Sequence, residues 1–281
     1  MNVNQQQSEA WNGAESVHYV DHADRYDRQL APFAEALLER AGLQAHHRVL
    51  DVGCGCGVTT LASARVARRA VGVDISTPLL EVAAARASSE ALGTAEFVVA
   101  DAQTYAFEQH SFDVVLSLFG LMFFDDPVSA YANLRHSMAP EGRISFVSWQ
   151  GIDANEWLMI VAGAVEQHAQ VPALGGRAGG PGMFFLKDPD ETTALLDAAG
   201  FTSIEIGHLT PNILIAGGGS LDESADFMLG MGIVRGLLGR IEDPTHRAAA
   251  IDVIRASLSE RYEPGVGVRL GAAGWLVSAG R

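Results

Sequence analysis

The sequence predicts an α/β protein built on an open, doubly wound sheet, and three observations carry that prediction. Residues 48–60 run from a short apolar strand through Gly53, Gly55 and Gly57 into a helical stretch. Two more short apolar strands, 70–74 and 95–100, follow with a helical pattern between them. Asp51, Asp74 and Asp101 stand at the ends of these three strands. Strands alternating with helices make a parallel sheet covered by helices on both faces.

The glycine loop comes first because it constrains the ligand. Without a Cβ, glycine takes positive φ and lets backbone lie against a bound molecule. The helix behind it offers unpaired amide N–H groups in its first turn. A dinucleotide fingerprint requires a third glycine five residues after the first. Counted from Gly53 that place is Val58, and from Gly55 it is Thr60, so the spacing argues against a nucleotide-dependent oxidoreductase.

An acid two residues before a G-x-G-x-G run resembles the first motif of the class I S-adenosylmethionine (SAM)-dependent methyltransferases, of the small-molecule type typified by the ubiquinone and menaquinone methyltransferases. The resemblance covers residues 48–149 well and the final strands weakly. It implies a Rossmann-like seven-stranded sheet with an antiparallel last strand, SAM as cofactor and S-adenosylhomocysteine as product. Asp51, Gly53, Cys54 and Gly55 then belong to the cofactor loop, with Leu118 at the end of the fourth strand beside the methyl group.

Asp74 closes the second strand 21 residues after Gly53. A carboxylate there accepts both ribose hydroxyls of a nucleoside, with Ile75 next to it. Thr77 and Pro78 supply a cap and first-turn pair for the helix over 78–92, which leaves Asp74 free of that duty. The third strand ends at Asp101. In the family resembled, this acid faces the adenine amine, a pure donor, and the backbone of Ala102 meets a ring nitrogen.

Residues 111–119 form the fourth strand, apolar enough to be covered on both faces. Asp125 and Asp126 are better read as capping than as a metal site, because Asp126 precedes Pro127 and a helical stripe of Val128, Tyr131, Leu134 and Met138. No metal is expected. A turn at 139–143 leads to the fifth strand over 144–149. Too many residues separate it from the strand at 201–206 for a simple crossover. Helices are expected over 153–170 and after the Asp188–Pro189 cap, with a glycine-rich hinge over 174–182 between them. A second helical insertion spans 222–262, and the last strand, 275–279, pairs with 201–206. The whole is read as one domain, 1–281. Its core covers approximately 30–150, 187–210 and 264–281, with cap insertions at approximately 151–186 and 215–262.

The N-terminal residues 11–40 read as one amphipathic helix, with Tyr19, His22 and Tyr26 on a face; its aromatic residues either dock it on the core or, as the family resemblance implies, let it close as a lid over the cofactor. Trp11, Tyr19 and Tyr26 are candidates to touch the cofactor. His18, His22, His136, His168 and His208 have suitable chemistry for a base, but none has a spaced partner and no catalytic residue is assigned.

The formal net charge of −15 disfavours nucleic acid and anionic membranes as partners, since both demand a cationic surface. The two cysteines, Cys54 and Cys56, are too close for a bridge and too few for structural zinc, which fits a reducing cytoplasmic setting. The polar first residues lack a signal-peptide pattern, and the longest apolar run, 114–124, is short of a membrane span. The expected partner is a small-molecule methyl acceptor, and a homodimer is compatible with this reading. The alternative is a scaffold or sensor that binds SAM without turnover.

Overall fold

The computed structural model describes residues 4–169 and 181–281. The N-terminal segment is three helices, α1 (Gln5–Trp11), α2 (Ala14–Asp21) and α3 (Ala23–Ala41), rather than the single helix expected over 11–40. The chain leaves helical geometry at Gly13 (φ −113, ψ −135) and again at His22 (φ −125, ψ 25). A Cβ at Gly13 would lie 2.8 Å from the Glu9 carbonyl oxygen, so that close turn depends on glycine. Only α3 lies along the core: it buries Tyr26, Phe33 and Leu37 and stops at Gly42 in the left-handed region.

The sheet half follows as β1 (Arg48–Val52), α4 (Val58–Ala64), β2 (Arg69–Asp74), α5 (Thr77–Ser89), β3 (Ala95–Val99), β4 (Phe112–Leu118), α6 (Pro127–Ser137) and β5 (Met138–Trp149). Two capping expectations part company here. The Asp126 carboxylate accepts from Ser129 N at 3.0 Å, as its position before Pro127 predicts. For α5 the N-cap is Ser76, not Thr77, and its hydroxyl makes no capping bond but donates to the Trp11 carbonyl. The α6 stripe is Ala130, Tyr131 and Leu134, with Val128 exposed. The turn expected at 139–143 is absorbed into β5, where the pairing with β4 shifts register between Phe112 and Val114.

The remaining elements are α7 (Glu156–Ala169), α8 (Pro189–Ala198), β6 (Thr202–Leu209), β7 (Asn212–Leu214), α9 (Leu221–Gly230), α10 (Gly232–Leu238), α11 (Pro244–Ser259), β8 (Tyr262–Glu263), β9 (Gly267–Gly271) and β10 (Gly274–Gly280). The seven-stranded sheet has the order β3-β2-β1-β4-β5-β10-β6. The β1 pairings with β2 and β4 are parallel, and β10 is antiparallel to both neighbours. This is the sheet the family resemblance implies. A small sheet, β7-β9-β8, ties the helical insertion to the core and was not legible in the sequence. Its strands are two to five residues long, too short for a periodic signal. Most of the hinge expected over 174–182 lies outside the described residues.

The order of the sheet reverses between β1 and β4. Ligands in open α/β sheets bind outside the carboxyl ends of the strands at such a reversal. No helix among the described residues is long and apolar enough to cross a membrane.

Candidate functional site

A cavity of about 500 Å³ opens at that reversal. Gly53, Cys54, Gly55, Asp74, Ile75, Asp101, Ala102 and Leu118 all line it, eight of the nine residues nominated from sequence. The ninth, Asp51, does not. It lies fully buried under the loop, where one carboxylate oxygen accepts 2.6 Å hydrogen bonds from the Thr59 and Thr60 hydroxyls. Its other oxygen has no partner among the described residues. Burial pushes the Asp51 carboxyl up to about 6 against the opposing effect of the two threonines.

The glycine loop is shaped by close approach. Gly53 (φ +66) follows β1, and a Cβ there would sit 2.8 Å from the Gly120 Cα beyond β4. Gly55 (φ +54) also has a left-handed backbone, but a Cβ on it would meet nothing within 4 Å. The first glycine is required by packing and the second by conformation, with open cavity in front of it. Gly53 N donates to the Val73 carbonyl at 2.8 Å, which fixes the loop to the end of β2.

Asp74 continues that connection. Its two oxygens accept from Gly55 N at 2.8 Å and from Ser76 N at 2.9 Å. Each carboxylate oxygen keeps acceptor capacity, and the side chain remains on the cavity wall. Burial raises its pKa, opposed by those amide donors. An acceptor held by the loop it serves is preorganised for a pair of hydroxyl donors.

The N-terminal helices roof the cavity. Asn4 donates through its side-chain amide to both oxygens of Asp101, each at 2.9 Å. The Asn12 side chain bridges the Ile75 carbonyl (3.0 Å) and Thr77 N (3.0 Å). Between these two anchors α1 crosses the ends of β2 and β3, and Gln7, Ala10 and Trp11 face the cavity. Tyr19 and Tyr26 stack at 3.7 Å with their rings 3° apart, and both line the same space. His18 does not: its Nδ1 bonds the Tyr26 hydroxyl at 2.9 Å, and burial drives its pKa down to about 4. Sequence reading missed Asn4, because a lone asparagine in a polar stretch carries no periodicity.

The insertions close the other side. Trp157 of α7, Met183, and Met231, Gly232 and Ile233 around the start of α10 complete the wall. Asp125 pairs with Asn4 through Asn4 N (2.7 Å) and Asn4 Oδ1 (2.7 Å). Among the described residues no group of three or more His, Cys, Asp or Glu is arranged to hold a metal ion.

Comparison with known proteins agrees with this geometry. Residues 49–142 match the family described as "Methyltransferase domain". An uncharacterized protein of Mycobacterium tuberculosis is 33% identical over 129 residues, 46% of this chain and 47% of that protein. The aklanonic acid methyltransferase DauC of Streptomyces sp. (strain C5) is 32% identical over 130 residues, 44% of this chain and 59% of that enzyme. These matches span about half the length of the curated relatives. The crystal structure of the YcgJ protein of Bacillus subtilis aligns with a TM-score of 0.57 over 88% of this chain and 97% of that one, at 17% identity, which speaks to fold. Residues 49–142 are thus similar to a methyltransferase domain, and the sheet that contains them has the fold of the YcgJ protein.

Proposed function

We propose that the protein transfers a methyl group from SAM to a small-molecule acceptor. The observation that carries this reading is the convergence of the glycine loop, Asp74, Ile75, Asp101 and Ala102 on one cavity at the β1/β4 reversal. In this reading Asp74 takes the ribose hydroxyls, Asp101 and Ala102 take the adenine edge, and Gly53, Cys54 and Gly55 lie against the remainder of the cofactor. Open space before Gly55 and spare acceptor capacity on Asp74 fit such a ligand. When bound, SAM supplies a methyl on a sulfonium whose leaving group departs neutral.

The chain's own contribution is alignment and exclusion of water. The roof of α1 and α2 and the cap residues Trp157, Met231 and Ile233 shield the cavity. Calorimetry tests the first half: SAM and S-adenosylhomocysteine should bind, and NAD and NADP should not. Mass spectrometry of small neutral acceptors incubated with SAM tests the second, through gain of one methylene unit. Cofactor binding without turnover on any acceptor is the result expected of a sensor.

A further inference from the structure

The cavity has a second half that the cofactor reading leaves unused, at the carboxyl ends of β4 and β5. Phe119 and Trp149 stack there with ring centroids 4.0 Å apart and planes 12° from parallel. Phe33 packs edge-on against both, at 5.2 and 5.4 Å. Both rings line the cavity, with Trp157, Met122 and Met183 around them.

Phe119 reaches this place through a strained backbone. Its φ is +62, while its N–H donates to the Val147 carbonyl at 3.0 Å. A bulky side chain in the left-handed region is sterically strained and persists where the surroundings fix it, which is common where a ligand is gripped. Gly120 follows and packs on Gly53, so the same turn that aims the ring also holds the cofactor loop.

Charge narrows the choice of ligand. The lining contains four acids, Glu15, Asp27, Asp74 and Asp101, and no Lys, Arg or His among the described residues. The cations nearest two of those acids are engaged: Arg235 with Glu15 at 3.3 Å and Arg86 with Asp27 at 2.9 Å. An anionic acceptor would lose its hydration and meet no Lys, Arg or His from this lining, at a cost that neutral groups escape.

The geometry points to the Phe119–Trp149 stack as the platform for the methyl acceptor, and to a flat, uncharged ring system as its class, with carboxylate and phosphate acceptors excluded. This rests on the cofactor reading above, because the platform adjoins the loop through Gly120.

The test uses the full chain saturated with S-adenosylhomocysteine, titrated with 2-naphthol and 2-naphthoate at neutral pH and followed by tryptophan fluorescence. The two share a ring and differ in charge. Naphthol should bind at least about tenfold more tightly. Phe119→Gly relieves the backbone strain while deleting the ring, so it should fold and lose naphthol affinity by about tenfold, with S-adenosylhomocysteine affinity by calorimetry within about twofold. Trp149→Leu should act in the same direction. Equal or tighter binding of naphthoate, or unchanged naphthol binding in folded Phe119→Gly, overturns the proposal while leaving the cofactor reading intact. Failure of S-adenosylhomocysteine itself to bind overturns both.

Discussion

The Asn4 side-chain amide donates to both oxygens of the Asp101 carboxylate, 97 residues away, and to Gln103 Oε1, while its Oδ1 accepts from Asp125 N at 2.7 Å. The side chain is 3% exposed at the N-cap of a helix whose other end is tied at Asn12. The carboxylate proposed to face an adenine amine therefore also anchors the cavity's roof.

Asn4→Ala should loosen that roof without unfolding the core. Amide bonds to a charged acceptor are worth about 1.5–3 kcal/mol, so hydrogen exchange across Gln5–Trp11 should quicken and S-adenosylhomocysteine should dissociate faster. Unchanged exchange in the variant would assign the latch to Asn12 and the Ser76 hydroxyl instead.

Asp74→Ala should weaken SAM binding by about 1–3 kcal/mol through loss of charge-assisted bonds to the ligand. It also removes the acceptor of Gly55 N, so some loop order is lost with it. Calorimetry on the variant decides the matter: wild-type affinity would remove Asp74 from the site.

The two loop glycines should separate by readout. Gly53→Ala meets the Gly120 Cα at 2.8 Å as well as a left-handed φ, and should cost well over the roughly 1–2 kcal/mol of conformation alone. Gly55→Ala carries only the conformational cost, yet its methyl projects into the cavity. Denaturant melts should show the larger loss in Gly53→Ala, and Gly55→Ala should bind SAM worse than its stability predicts.

Asp51 gives a pH signature. Its folded pKa of about 6 lies above the ordinary value of 3.8, so between these the folded state holds a proton that the unfolded state has released. The contribution is present below about pH 4 and is lost as pH rises through 6, by about 3 kcal/mol at 1.36 kcal/mol per unit. Asp51→Asn keeps an acceptor for Thr59 and Thr60 but cannot ionise. Its stability relative to wild type should therefore rise between pH 4 and 7, and a flat difference would show that Asp51 stays charged or stays neutral throughout.

The sheet and one wall of the cavity were legible from the residues alone. Those signals are local: a strand of four or five apolar residues, a glycine whose φ no other residue tolerates cheaply, an acid at a strand end. Each is written in consecutive residues, so Gly53, Gly55, Asp74 and Asp101 could be placed before any fold was known. Asp51 carried the same local mark, yet only packing showed that it faces Thr59 and Thr60 and not the cavity. The tertiary structure alone decided the roof and the opposite wall. Asn4 meets Asp101, Tyr19 lies flat on Tyr26, and Phe119 lies flat on Trp149 because separate elements converge. The break of the N-terminal segment at Gly13 and His22 likewise follows from where the chain turns over that cavity, and the short β7-β9-β8 sheet from the meeting of strands distant in sequence. The Asn4–Asp101 and Phe119–Trp149 contacts join residues 97 and 30 positions apart, and no periodicity along the chain encodes them.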